Sequence, residues 1–356
     1  MSAGGFDVEC VAGDGLWSRP EMVDRWRALV DADLAHGVFH QPDVIRAWMD
    51  TVGVAIGAEP SIYFARSGGQ AVAALATVVV RQRGRLFDRR VLEPVGRELF
   101  GYHDALVAGP RDRFPWPAFW SALRAASAGT VDQALFRFVA RGEGWTETDV
   151  TERAPVLELS GLPGVDAVLG RCSANHRGDT RRRTRRLDQR GARRLRIFEP
   201  AAADEALEVF RSRLWPSLVA RYEHQGYRMH EAPGVEAFAR RLAREGVREG
   251  WAHLAALEVD GAPIAWHLGL VHRGELYWWL PAHDAAWEPY SPGKVLLHDL
   301  VDWMCRAGWR RLHFQTGAQA YKTAWTPVAR EFSAVRWFAP SMKGNLLSRY
   351  GRVVGT

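Results

Sequence analysis

Residues 251–280 read WAHLAALEVDGAPIAWHLGLVHRGELYWWL, and three consecutive strands follow from them. Apolar and aromatic residues dominate Trp251–Val259, Ala262–Val271 and Glu275–Leu280, which are separated by Asp260-Gly261 and by His272 with Arg273-Gly274. Asp-Gly between two such runs is a strong hairpin signal, because a two-residue turn of matching twist needs positive φ at both central positions. The first half of the chain repeats the plan. Strand Ser61–Ser67, turn Gly68-Gly69, strand Ala71–Gln82, turn Arg83-Gly84 and strand Arg85–Leu92 come in the same order. The second glycine of the first turn precedes that of the next by fifteen residues in the first half (Gly69, Gly84) and by thirteen in the second (Gly261, Gly274). The pattern predicts a structural duplication.

Further strands are expected at Phe6–Val11, Ala134–Ala140 and Pro155–Leu159. Helices are expected at Pro20–Ala32, Asp43–Val52, Pro115–Ala126, Ala202–Glu223 and Val235–Arg248, with an arginine-rich helix within Arg171–Arg196. The expected division is an N-terminal half over 1–154, a second half over 155–340 and a peripheral tail over 341–356.

The chain has 356 residues, 47% of them hydrophobic, which is a globular composition with length for a sizeable core. No run of about 18 apolar residues occurs, so no membrane span is expected. The start, Met1 to Asp7, lacks a basic and an apolar segment and does not read as a signal peptide. Cys10, Cys172 and Cys305 lie far apart, as reduced thiols of a cytoplasmic protein would. The twelve histidines show no metal-ligand spacing, so no metal is assigned. A net charge of +6 suits an anionic partner such as a coenzyme, a nucleotide sugar or RNA.

The chemistry concentrates in the turn Tyr290-Ser291-Pro292-Gly293-Lys294, which opens into an amphipathic helix over 295–307. Only three of the 47 basic residues are lysines, and two of them, Lys294 and Lys322, fall in this region. Backbone N–H groups at a helix start and the helix dipole favour an anion, and Ser291, Pro292, Gly293 and Lys294 are candidates to hold a phosphate-bearing donor. The same residues also suit an ordinary Pro-Gly helix start. Tyr321-Lys322 follows a short strand and Gly317. The lysine suits a phosphate or an oxyanion, and the tyrosine suits proton return to a leaving group. A strand-edge lysine is the plainer alternative. Eleven arginines lie within 171–196, with Arg177, Arg181 and Arg185 at helical i, i+4 spacing. Such a row suits phosphate or an RNA backbone, or a solvated basic face. Tyr102-His103-Asp104 places an acid after a strand, where Asp104 is a base candidate or a turn residue. Asp284 carries the same two readings. Trp278, Trp279 and Trp266 either line an apolar cleft or pack a core.

Taken together, Gly261-Ala262-Pro263-Ile264-Ala265, Tyr277-Trp278-Trp279, Asp284, Ser291-Pro292-Gly293, Gly308, Phe314, Gly317 and Tyr321-Lys322 resemble the acetyltransferase-like domain of bacterial CelD-type proteins. These are distant GNAT acyltransferases, similar to the Fem-type peptidyltransferases that use aminoacyl-tRNA. Arg177, Arg181, Arg182, Arg185, Arg186 and Leu187 resemble the family's arginine segment, and Tyr102 to Val107 its aspartate–aromatic motif.

The resemblance implies an α/β (α+β) fold of two tandem GNAT-like halves, each a mixed, mostly antiparallel sheet flanked by helices. It implies acyl transfer from a thioester, as acyl-CoA or a carrier protein, to a small-molecule amine or hydroxyl acceptor by direct attack. The alternatives are an aminoacyl-tRNA-dependent peptide-bond-forming transferase and a non-catalytic RNA- or polyanion-binding protein on a degenerate acyltransferase fold. In the enzyme readings, Ser291–Lys294 with Arg177 and Arg181 bind the donor. Asp104, Tyr321 and Lys322 are catalytic, and Tyr102, Asp284 and Trp279 line the cleft. The family often places acids before the glycine and before the tyrosine, where this chain has Leu312-His313-Phe314 and Gln319-Ala320. Either His313 is a substitute base, or the acceptor differs.

Overall fold

The structure, a computed structural model, describes residues 6–347 apart from 14–16, 34, 36, 85–86, 145–149, 318, 342 and 345. Most of the expected tail therefore lies outside the described residues. The chain divides into two compact units, Met1–Glu152 with Glu331–Thr356, and Arg153–Arg330.

The strands are β1 (Asp7–Ala12), β2 (Glu59–Ser67), β3 (Gln70–Gln82), β4 (Arg89–Pro94), β5 (Leu106–Val107), β6 (Gln133–Ala140), β7 (Glu152–Glu158), β8 (Arg193–Ile197), β9 (Ala252–Val259), β10 (Ala262–His272), β11 (Glu275–His283), β12 (Arg311–His313) and β13 (Ala329–Phe338). The first unit's sheet runs β1-β2-β3-β4-β6-β13, with β5 on β3. Every pair in it is antiparallel except β4 with β6. The second unit's sheet runs β8-β9-β10-β11-β12-β7, antiparallel except for β11 with β12. Both units thus follow one plan of three antiparallel pairings, one parallel pairing and a last antiparallel strand. Helices enter at matching places: Trp116–Ser127 precedes the parallel strand β6, and Pro292–Arg306 precedes β12. The fold is α/β with two tandem halves. The expected second half ran on to 340. Instead β13 pairs with β6, and residues from Glu331 belong with the first unit.

The turns explain the registers. Asp260 and Gly261 (φ 49° and 80°), Arg273 and Gly274 (48° and 71°), and Gly68 and Gly69 (57° and 83°) each close a two-residue hairpin with positive φ at both positions. Arg83-Gly84 does not behave this way. The pairing resumes only at Gln82 with Arg89, so a six-residue connection replaces the expected tight turn, and part of the expected strand 85–92 lies outside the described residues. The arginine-rich stretch also divides. Its helix covers Ala174–Asp188, and its last arginines form the edge strand β8. Charged residues on an edge strand discourage further pairing.

In the second unit, Val295, Leu296, Leu297, Leu300, Val301 and Met304 of the helix Pro292–Arg306 are buried against Ala255, Leu257, Ile264 and Leu276. That packing holds the helix start beside the end of β11.

Tyr102-His103-Asp104 takes a structural part within the first unit. Tyr102 is buried, with ring centroids 5.7 Å from Phe39 and 5.3 Å from Phe332. His103 Nε2 lies 2.7 Å from the Arg97 carbonyl, while Nδ1 accepts the Arg137 and Phe138 amides at 3.1 and 3.3 Å. Asp104 is buried and accepts the Ala140 amide at 2.8 Å. The imidazole needs Nδ1 bare, and burial above all drops its pKa to about 4. In the unfolded chain the ring ionises near 6.5. The unfolded state therefore binds the extra proton first, and stability falls as pH drops from about 6.5 to about 4. The expected loss is about 3 kcal/mol. Urea unfolding at pH 7 and pH 4 should show a flatter pH dependence in His103→Gln than in the wild type. Equal pH dependence would remove this account.

Candidate active site

The site begins where two parallel strands part. The β11–β12 pairing stops at Tyr277 and His313, while β11 runs on to His283. The chain after β12 swings away through Gln315, which has a positive φ of 57°. Gln315 Nε2 then donates to the Trp278 carbonyl at 2.9 Å, where a strand partner would otherwise sit. A cleft of about 620 Å³ lies along the freed end of β11. Trp278, Trp279, Pro281 and His283 line it from the strand, Arg221 and Tyr222 from the helix Trp215–Gln225, and Ser291, Gly293 and Lys294 from the helix start. Tyr321 and Lys322 complete it.

A second cavity, of about 370 Å³, shares Lys294, Leu297 and Tyr321 with the first. His176, Asp179, Thr180 and Arg183 of the arginine-rich helix line it, with Trp325. The His176 ring lies edge-on to Trp325, 5.0 Å between centroids. Arg183 donates to Asp179 at 2.7 Å and also to the Ser291 hydroxyl. The Arg183 bond, foremost, holds the Asp179 carboxyl below its ordinary range.

The helix start is more fully bonded than its sequence suggests. Ser291 is left-handed (φ 54°), and its carbonyl takes the Lys294 and Val295 amides at 3.0 and 3.3 Å. Pro292 has no N–H, which leaves the Gly293 amide as the first-turn donor without a partner among the described residues. A Cβ added at Gly293 would lie 3.9 Å from His283 Nδ1, so imidazole and helix start are neighbours. The Lys294 side chain is exposed, and among the described residues no carboxylate lies within 4 Å of its ammonium.

The electrostatics separate the cleft's titratable groups. Burial pushes the His283 pKa below its ordinary value, and Arg221 adds to this, while Glu288 and Asp284 pull the other way. The ring is neutral at pH 7. Tyr321 is exposed as a whole residue, but desolvation where it meets the cleft lifts its pKa to about 12, against the opposing pull of Trp278 and Arg221. Lys322 is buried, and its ammonium donates to the Thr316 carbonyl at 2.8 Å, tying down the chain that leaves β12.

The structure brings Ser291, Gly293, Lys294, Tyr321, Lys322 and Trp279 into one cleft. It places other expected residues elsewhere. Arg177 donates to the Cys172 carbonyl at 2.7 Å, and Arg181 pairs with Asp166 at 3.2 Å, so Arg183 is the arginine that reaches the helix start. Asp284 caps a short helix by accepting the Ala286 amide at 2.9 Å. His313 is buried, stacked on Tyr277 at 4.4 Å, and 3.0 Å from Glu275, which Arg310 and Arg311 also hold. Asp104 and Tyr102 serve the first unit as described above. Sequence reasoning missed Arg183, Arg221 and His283. For His283 a signal existed, since Trp279, Pro281 and His283 alternate on one face of β11.

Residues 174–323 match the family described as acetyltransferase (GNAT) domain. No curated protein matches the chain. Among solved structures, the C-terminal domain of a candidate lysylphosphatidylglycerol synthetase from Agrobacterium fabrum is 13% identical, with a TM-score of 0.56 over 94% of this chain and 96% of that one. FemX is 9% identical, with a TM-score of 0.55 over 85% and 92% of the two chains. The L-PGS from Bacillus licheniformis is 14% identical, with a TM-score of 0.50 over 88% and 97%. At such identities the likeness is one of fold. No helix among the described residues is long and apolar enough to cross a membrane. The match to the acetyltransferase (GNAT) domain family thus falls within the unit that carries both cavities.

Proposed function

We propose that the second unit transfers an acyl group from an anionic donor to an amine or hydroxyl acceptor by direct attack. The observation that carries this reading is Lys294. Among the described residues no carboxylate lies within 4 Å of this cation, it stands in the first turn of a helix, and it lines both cavities beside Tyr321. A phosphate group of the donor fits there, met by the ammonium, the Gly293 amide and the helix dipole. His283, neutral at pH 7, takes the acceptor's proton as the new bond to the acyl carbon forms. The C–S or C–O bond to the donor then breaks, and Tyr321 returns a proton where the leaving group needs one.

Acetyl-coenzyme A and bulk aminoacyl-tRNA are the donors to test by thermal shift, with free coenzyme A as the carrier alone. A ligand at 100 times its Kd adds about 2.7 kcal/mol. Lys294→Ala should weaken the effective donor roughly tenfold, the low end for a charge-assisted contact at an exposed site. It should leave the melting temperature of the free protein within about 1 °C, since surface changes away from packed features cost little. If none of the donors stabilises the protein, the reading falls.

A specific observation favours aminoacyl-tRNA as donor. Tyr321, raised to about 12, suits an alkoxide leaving group better than a thiolate. The arginine-rich helix also exposes Arg182, Arg185 and Arg186 near that cavity. Steep salt dependence of turnover would support this donor.

A further inference from the structure

We infer that Arg221 is the seat of a second anion site in the larger cleft, which receives the carboxylate or phosphate of the acyl acceptor. The anion site stands on geometry alone. Assigning its occupant to the acceptor rests on the acyl-transfer reading above.

Arg221 lies in the C-terminal half of the helix Trp215–Gln225 and lines the larger cleft but not the smaller one. Its Nε is buried without a hydrogen-bond partner. Among the described residues no carboxylate lies within 4 Å of its guanidinium. What sets it apart within this unit is the buried Nε, and several neighbouring arginines are already paired. Arg193 has Asp188 and Asp299, Arg196 has Glu205, and Arg228, on the same cleft, has Glu231 at 2.5 Å. Glu288 lines the same cleft but makes no ion pair with it. A guanidinium with a buried, unsatisfied N–H and no directly paired carboxylate is costly, and an incoming oxyanion relieves that cost with paired N–H···O bonds.

The surroundings define what carries the anion. The guanidinium lies over the Tyr222 ring at 5.3 Å, and Tyr227, Trp279 and Met229 supply further apolar walls. That lining suits a planar or apolar body bearing the anion. The charge of Arg221 is felt at both His283 and Tyr321, so a group bound to it lies next to the residues assigned to proton transfer. Lys294, which lines both cavities, serves the donor. Arg221, confined to one, serves the acceptor. The substrate class is therefore an amine or alcohol that also carries a carboxylate or phosphate on an apolar frame.

The test uses the whole chain with phenylacetate, phenyl phosphate and neutral phenylacetamide, followed by calorimetry and by the NMR titration of His283. Both anions, or one of them, should bind and raise the His283 pKa, because the bound charge offsets that of Arg221, while phenylacetamide should not bind. The tighter of the two anions identifies the group. Arg221→Gln should weaken binding about tenfold or more, and Arg221→Lys should restore part of it. Lys294→Ala should change it less than twofold. The inference is overturned if the anions fail to bind, if phenylacetamide binds equally, or if Arg221→Gln binds like the wild type in a folded protein. Anion binding at Arg221 without acyl transfer to any acceptor would keep the site and remove the catalytic reading instead.

Discussion

Tyr321→Phe is expected to lower kcat about 100- to 1000-fold with an oxygen-ester donor, and less than tenfold with a thioester of the same acyl group. General acid catalysis by a positioned side chain is worth about 100- to 10,000-fold, and only where the leaving group needs the proton. A thiol ionises near 8.5, so a thiolate departs without help at neutral pH. An alkoxide does not. Tyr321, lifted to about 12 by desolvation at the cleft, stays protonated across the working range and has its proton to give. The phenylalanine keeps the ring in place, so folding should be unchanged. Single-turnover rates with the two donors decide the matter. Equal losses would mean that the hydroxyl stabilises the oxyanion instead, and no loss with either would take Tyr321 out of the chemistry.

His283→Gln is expected to lower kcat/KM by about 100-fold or more for an amine acceptor, the lower end for a positioned base. Glutamine retains a hydrogen-bonding side chain but cannot take the proton. The pH profile gives a second readout. In the wild type, activity should rise as His283 loses its proton, with the midpoint of the rise below the ordinary histidine value of about 6.5, because burial and Arg221 hold its pKa down. That rising limb should vanish in the variant. A limb that persists unchanged would assign the base elsewhere, and the cleft's helix start would then serve binding alone.

Local sequence was a good guide wherever the decisive interactions are local. The Asp260-Gly261 hairpin was legible because two adjacent residues decide the turn, and its φ values bear this out. The stripe Val295, Leu296, Leu300, Val301 and Met304 was legible because helical spacing alone puts it on one face, and all five residues are buried. Ser291, Lys294 and Tyr321 were found because the turn and the short helix carrying them stand out in composition. Tyr102-His103-Asp104 shows the opposite case. A polar triplet after a strand reads the same whether it meets substrate or backbone, and here Arg97, Arg137 and Ala140 supply its partners.

The arginine-rich stretch shows both limits at once. Its helical spacing was legible, but its stop at Asp188 and the turn of Arg193–Ile197 into an edge strand depend on β9, some sixty residues later. Which arginine reaches the helix start was equally hidden, since Arg183 and Ser291 are 108 residues apart. By itself, then, the sequence determined the duplicated hairpin plan, the helix that follows Ser291 and the region where the chemistry gathers, since turn conformation and apolar periodicity are settled within a few residues. Only the tertiary structure decided that β13 returns to the first unit, and that Arg221, His283, Lys294 and Tyr321 share one cleft. The physical reason is that burial, desolvation and charge proximity are set by residues far apart in the chain, and these are the forces that tune a site.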